Sequence, residues 1–184
     1  MINLNNISFA YDKKPIFENF SLNINTGDRI CFFGESGCGK TTLLRLILGL
    51  EQSQKGEIFT DHKFSVVFQE NRLLPFLTVL ENITLLGADT KTALYHLQAL
   101  GISNVAYKKP QELSGGMKRR AAIGRALSVD FDAIILDEPF AGLDENNIAL
   151  CAEHILKHIE NKTVILVSHS KQEAELLKTK IIYL

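Results

Sequence analysis

The chain has 184 residues, of which 46% are apolar, and its 20 basic and 21 acidic residues leave a net charge of −1. That suits one compact domain with a real core, and near-neutrality excludes a protein drawn to nucleic acid by bulk charge. The odd, scattered cysteines (Cys31, Cys38 and Cys151) exclude a disulfide framework and point to a reducing, cytoplasmic setting, while no signal-like segment opens the chain and no apolar run approaches the roughly 18 residues of a membrane span.

Ile2, Leu4, Ile7 and Phe9, and then Phe20, Leu22 and Ile24, alternate as half-buried antiparallel strands do. Between them Tyr11 precedes the turn Asp12-Lys13-Lys14-Pro15. It reads either as an aromatic able to stack on a base or as an ordinary strand-end tyrosine. The apolar run Ile30-Cys31-Phe32-Phe33 is a short buried strand, and Thr42 to Leu48 is apolar enough for a buried helix.

Between this strand and helix lies Gly34-Glu35-Ser36-Gly37-Cys38-Gly39-Lys40-Thr41-Thr42, a G-x-x-x-x-G-K-[ST] phosphate cradle in its required strand, loop, helix setting. Its glycines free the backbone so that successive N–H groups point inward at an anion, and the helix that follows adds its unpaired N-terminal N–H groups. Lys40 brings a positive charge toward the β- and γ-phosphates, and the Thr41 hydroxyl suits one ligand position of a hydrated Mg²⁺.

Gly49 to Gly56 reads as a polar link, and Glu57 to Thr60 and Phe64 to Phe68 as strands. Gln69 ends the second strand, where open α/β sheets bind ligands; it suits a metal or water contact, or simply caps a strand. The apolar loop Arg72-Leu73-Leu74-Pro75-Phe76-Leu77 reads as an interaction surface or as packing beneath a neighbouring helix. Leu80 to Leu86 and Thr92 to Leu100 carry helical spacing, with Gly101 as a stop.

A second Gly-rich stretch, Leu113-Ser114-Gly115-Gly116-Met117, opens a helix bearing Lys118, Arg119 and Arg120. It reads as a capped helix with a solvated basic face or as a second anion site, one more than a single nucleotide needs. Ala133 to Leu136 is a buried strand ending in Asp137-Glu138-Pro139. Two carboxylates at such an end suit a metal contact through water, for Asp137, and acceptance of a proton from an attacking water, for Glu138.

Ile148, Ala152, Ile155 and Ile159 form one apolar helical face. Cys151, His154 and His158 recur on that helix at ligand-like spacing, although their place on or beside the apolar face favours packing. Thr163 to Val167 is a further buried strand ending in Ser168-His169, the third strand end with a polar group that converges on one edge of the sheet. A helix over 171–178 and a short strand over 181–184 follow.

Read together, these parts resemble the ATPase subunit of the ATP-binding cassette family over essentially the whole chain. Leu113-Ser114-Gly115-Gly116 is the family's own mark, and it accounts for the second cradle. The resemblance implies an α/β fold: a P-loop NTPase core with a mostly parallel sheet flanked by helices, an N-terminal antiparallel β subdomain, and an inserted α-helical subdomain over roughly residues 70–127 of one domain. It implies ATP and Mg²⁺, with Tyr11 on the base, Gly34, Glu35, Ser36, Gly37, Cys38, Gly39, Lys40, Thr41 and Thr42 on the phosphates, and Thr41, Gln69 and Asp137 around the metal. Glu138, His169 and Gln69 are the implied catalytic residues. Ser114, Gly115 and Gly116 are implied to bind the γ-phosphate held by a second subunit in a head-to-tail dimer, with Asp144 joining the two sites.

The partners implied are that second ATPase subunit, a transmembrane permease docking near Gln69 and Arg72 to Leu77, and a solute-binding protein indirectly, with no nucleic acid. The place implied is the cytoplasmic face of the membrane. The wording Phe68-Gln69-Glu70-Asn71-Arg72-Leu73-Leu74-Pro75, one short loop, is similar to importers of nitrate, sulfonate or taurine. Met117 stands where the family has Gln, the stretch from Glu57 to Gln69 is short, and the chain ends soon after His169, so a cassette without a regulatory C-terminal domain is expected. Two rivals remain: a soluble cassette acting on nucleic acid or ribosomes, which usually has paired cassettes or long arms absent here, and a non-hydrolysing module, against which Asp137-Glu138 argues.

Overall fold

The computed structural model describes residues 1–12 and 14–184, so Lys13 of the turn after Tyr11 lies outside the described residues. Strands β1 (Ile2–Tyr11), β2 (Lys14–Ile24) and β4 (Lys55–Thr60) form an antiparallel sheet in the order β2-β1-β4. The alternation slips between Leu4 and Ile7 because the ladder shifts register there, with Asn6 in the left-handed region at φ 48°. The slip brings Ile7 and Phe9 back onto the face that buries Ile2 and Leu4.

The second sheet is parallel and five-stranded, in the order β5-β6-β7-β3-β8, from β3 (Arg29–Phe33), β5 (Phe64–Val67), β6 (Ala133–Asp137), β7 (Thr163–Val167) and β8 (Lys180–Tyr183). Strands β6 and β7 are buried at every residue, which is why they read as continuous apolar runs. Their successive residues feed two cores. Ile135 and Ile165 face the core built by β1, β2 and α1 (Lys40–Ile47), while Leu136 and Leu166 face the other.

That other core is covered by α2 (Val79–Thr84), α3 (Thr90–Ala99) and α4 (Gly115–Leu127), which lie in sequence between β5 and β6, together with α5 (Glu145–His158) and α6 (Lys171–Leu176). The two expected helices here begin one or two residues early, where Thr78 and Asp89 cap them through the N–H groups of Glu81 and Thr92. The closing helix ends two residues short of expectation, because Lys178 takes a left-handed conformation at φ 53° and turns the chain into β8. The architecture is the expected one: a parallel α/β core, an antiparallel β sheet at the N-terminal end, and helices inserted between two core strands.

Among the described residues no helix is long and apolar enough to cross a membrane. All three cysteines are free.

Candidate functional site at the carboxyl edge of the parallel sheet

Strands β3, β5, β6 and β7 are parallel, so the residues leaving their carboxyl ends emerge along one edge. A cavity of about 180 Å³ opens there, lined by Ser36, Gly37, Gly39, Lys40, Thr41 and Thr42 from the loop after β3, Gln69 after β5, Asp137 and Glu138 at the end of β6, and Val167 and His169 after β7. These expected residues are thus brought to one place from segments more than a hundred residues apart. Ile16 of β2 completes the wall.

Helix α1 begins at Lys40, two residues before the expected start, with Gly39 at its N-cap at φ 105°. Among the described residues the other α-helices are each capped by a side chain: Thr78, Asp89, Ser114, Asp144 and Ser170 accept from the backbone of the first turn. Gly39 has no side chain to do so. The first-turn N–H groups of α1 therefore face the cavity without a side-chain cap, beside Gly37, which is also left-handed at φ 85°. A methyl group at Gly39 would meet Ile16 Cγ2 at 2.7 Å and the Phe17 ring at 3.0 Å, so the loop has room for backbone only.

Lys40 is buried, and its ammonium donates to the carbonyls of Gly34 and Glu35 at 2.8 and 2.7 Å and lies 3.6 Å from Cys38 Sγ. Gly34, Glu35 and Cys38 thus lie behind the cradle, holding the lysine, rather than on the cavity wall. Thr41 and Gln69 are exposed to the cavity, while Asp137 is buried at its floor. The three offer a hydroxyl, an amide and a carboxylate, a set of hard oxygen donors that fits Mg²⁺.

Burial pushes the Asp137 carboxyl above its ordinary range, opposed by the charges of Arg119 and Lys40 and by a hydrogen bond from the Gln69 backbone N–H. Glu138 is also pushed up by burial, against the pull of His169, whose Nε2 lies 3.0 Å from Glu138 Oε1. Its backbone is left-handed, at φ 49°, which turns the carboxylate out of the strand direction.

Other expected site residues stand apart from this cavity in a single copy. Tyr11 is 40% exposed, packs edge-on against Phe9 and donates its hydroxyl to Glu51. Ser114 caps α4 through the Met117 N–H, with exposed Gly115 and half-buried Gly116 following. Asp144 is exposed and caps α5, accepting from Asn147.

Arg119 corrects the reading of a solvated basic face. It is 5% exposed, and its guanidinium donates to the carbonyl of Phe68 at 2.7 Å and to that of Gln69. Arg125, six residues later on the same helix, donates to the carbonyls of Asn71 and Arg72. Helix α4 therefore grips the whole backbone turn that carries Gln69. No sequence rule marks these arginines, because their partners are main-chain oxygens about fifty residues away. Asn82 was also missed: buried on α2, it bonds the backbone of Leu74, Leu77 and Thr78 and fixes the apolar loop. Leu73 of that loop packs against the core, as the packing reading expects, while Leu74 and Phe76 are 44% and 84% exposed.

Residues 17–141 match the ABC transporter family. The aliphatic sulfonates import ATP-binding protein of Paracoccus denitrificans is 38% identical, over 97% of this chain and 76% of that protein. The nitrate import ATP-binding protein of Synechococcus elongatus is 35% identical, over 90% of this chain and 68% of that one. A solved dimeric ATP-binding cassette in a post-hydrolysis state with ADP and Pi superposes with a TM-score of 0.89 at 30% identity, covering 100% of this chain and 94% of that one. With the uncapped helix behind a glycine loop, the acidic strand end facing it, and this match across more than half its length, the chain belongs to the ABC transporter family as one of its ATPases.

Proposed function

We propose that the chain is the ATP-hydrolysing subunit of an importer, a single cassette over 1–184 with a helical insertion over roughly 70–127. Two copies pair head to tail on two ATP molecules at the cytoplasmic face of the membrane. The observation that carries this is helix α1, which leaves its first-turn N–H groups without a side-chain cap, facing the cavity that holds Lys40, Asp137 and Glu138.

In this reading the loop from Gly34 to Thr42 binds the phosphates, and Lys40 exchanges two backbone carbonyls for the β- and γ-phosphate oxygens. Thr41, Gln69 and Asp137 hold Mg²⁺, which when bound neutralises charge on the phosphates. Glu138 accepts the proton of the attacking water, and its raised affinity for protons suits that task. His169 orients Glu138 and reaches the γ-phosphate, and Tyr11 stacks on the base. Ser114, Gly115 and Gly116 complete the partner's site, which fits the exposure of Ser114 and Gly115 in one copy.

Closure is a population shift driven by γ-phosphate contacts that exist only in the closed dimer. A separate permease docks at the groove of about 210 Å³ beside Gln69 and Arg72 and on exposed Leu74 and Phe76. The similar proteins named for sulfonate and nitrate import favour a small anionic solute, delivered by a solute-binding protein.

The test is sedimentation of tag-free Glu138→Gln protein with and without ATP and Mg²⁺, followed by identification of what it retains from detergent-solubilised membranes. An ATP-dependent dimer retaining a multi-span membrane protein is expected. A chain that stays monomeric with ATP, or that retains ribosomes or DNA instead, overturns the transport reading.

A further inference from the structure

On α5 the sequence pairs His154 and His158 with Cys151, but the structure replaces the cysteine. Cys151 is buried near Arg120, and the third member is His96, from α3, 58 residues away from His154. One ring nitrogen from each of His96, His154 and His158 lies within 4.8 Å of the other two. His96 and His154 are almost fully buried, and His158 is half-buried at the mouth. We propose that these three imidazoles form a binding site for a borderline divalent cation of the Zn²⁺ class, joining α3 of the inserted helices to α5 of the core.

The arrangement has what a three-histidine site requires. Metal–nitrogen bonds of about 2.0–2.1 Å in tetrahedral geometry place the ligand nitrogens roughly 3.4 Å apart. His96 Nδ1 and His154 Nε2 are 2.9 Å apart and share one hydrogen, so this pair spreads, and the nitrogens up to 4.8 Å apart draw together, as the cation enters. The shared hydrogen leaves by a tautomer shift to the outer nitrogen of its ring.

His158 is already oriented. Its Nδ1 lies 2.8 Å from the His154 carbonyl and must donate to it, which leaves the Nε2 lone pair free in the neutral ring. A ligand histidine held through its other N–H by a backbone carbonyl is the usual supporting arrangement in metal sites. The ring of Tyr95 lies 5.3, 5.7 and 6.0 Å from those of His96, His154 and His158, forming a half-exposed cover, and the half-buried side at His158 leaves a path for the ion and a water as fourth ligand.

Charge and ligand type choose the ion. Carboxylates are absent from the cluster, so a hard cation such as Mg²⁺ has nothing to favour it, whereas neutral imidazole suits Zn²⁺, Ni²⁺, Co²⁺ or Cu²⁺. The site is separate from the nucleotide cavity, whose lining shares none of these residues.

The experiment is calorimetric titration of tag-free, chelator-washed protein with Zn²⁺ in excess Mg²⁺, with Co²⁺ as a spectroscopic probe and thermal unfolding as a second readout. One equivalent bound, a four-coordinate Co²⁺ absorption spectrum, and a rise in melting temperature reversed by chelator are expected. His154→Ala and, at the half-exposed position, His158→Gln each lower affinity by at least about tenfold. Both variants also remove the melting shift. Binding well below one equivalent, or affinity unchanged in folded His158→Gln, overturns the site.

Discussion

His169 Nε2 lies 3.0 Å from Glu138 Oε1, and the two residues leave the ends of adjacent parallel strands, β7 and β6. Val167 O also accepts the Glu138 backbone N–H at 2.9 Å, so Glu138 is tied to the β7 side by backbone and side chain together. The left-handed turn at φ 49° then aims its carboxylate into the cavity. Strain and a half-buried charge at one residue mark where stability has given way to chemistry.

Glu138→Gln is expected to stabilise the nucleotide-free protein near neutral pH. Burial raises the folded-state pKa of Glu138, so its ionised form costs stability wherever the unfolded chain would be ionised, above the ordinary value of 4.5. The gain in melting temperature shrinks as pH falls, because the native carboxyl then takes up its proton. ATP turnover falls by roughly 10²-fold or more, as for loss of a positioned general base. Melting curves across pH, with steady-state ATPase assays, check both.

Gly39→Ala should cost about 1–2 kcal/mol from the left-handed backbone alone. The added methyl, 2.7 Å from Ile16 Cγ2, raises that cost by pushing on β2. Urea unfolding reads the stability, and calorimetry should show weakened ATP binding. By contrast, Lys91→Ala, at an exposed position of α3, should change stability by no more than about 0.5 kcal/mol.

Arg119→Leu removes the charged donor from the carbonyls of Phe68 and Gln69. A loss of about 2–3 kcal/mol is expected from two charge-assisted bonds to part-buried backbone. Turnover should fall further than nucleotide affinity, since Gln69 is displaced while the cradle at Gly34 to Thr42 is untouched. Equal loss of both would assign Arg119 to general stability alone.

Asn82→Ala and Phe76→Ala separate the build of the apolar loop from its use. Asn82 holds the loop through four hydrogen bonds to backbone, so its loss should cost about 2 kcal/mol and speed hydrogen exchange over 74–78. Phe76, at 84% exposure, contributes little to the fold. Phe76→Ala should leave melting temperature and soluble ATP turnover unchanged while reducing retention of the membrane partner.

The sequence by itself determined the glycine loop between β3 and α1, the core strands and the ends where Gln69, Asp137-Glu138 and His169 lie, because local pattern carries each of them: apolar runs for buried parallel strands, glycine spacing for the loop, the cap residue Ser114 for the helix that follows it. Periodicity also located two of the three inserted helices, α2 and α3, to within two residues. Only the tertiary structure decided what depends on residues distant in the chain. Arg119 looked solvated because its partners are carbonyls beside Gln69, and a main-chain oxygen has no signature in sequence. Cys151 seemed to belong with His154 and His158 because helical spacing puts them on neighbouring positions, yet the packing of α3 against α5 set His96 there instead. Spacing fixes which face of a helix a side chain occupies, and only packing between elements fixes what that face meets.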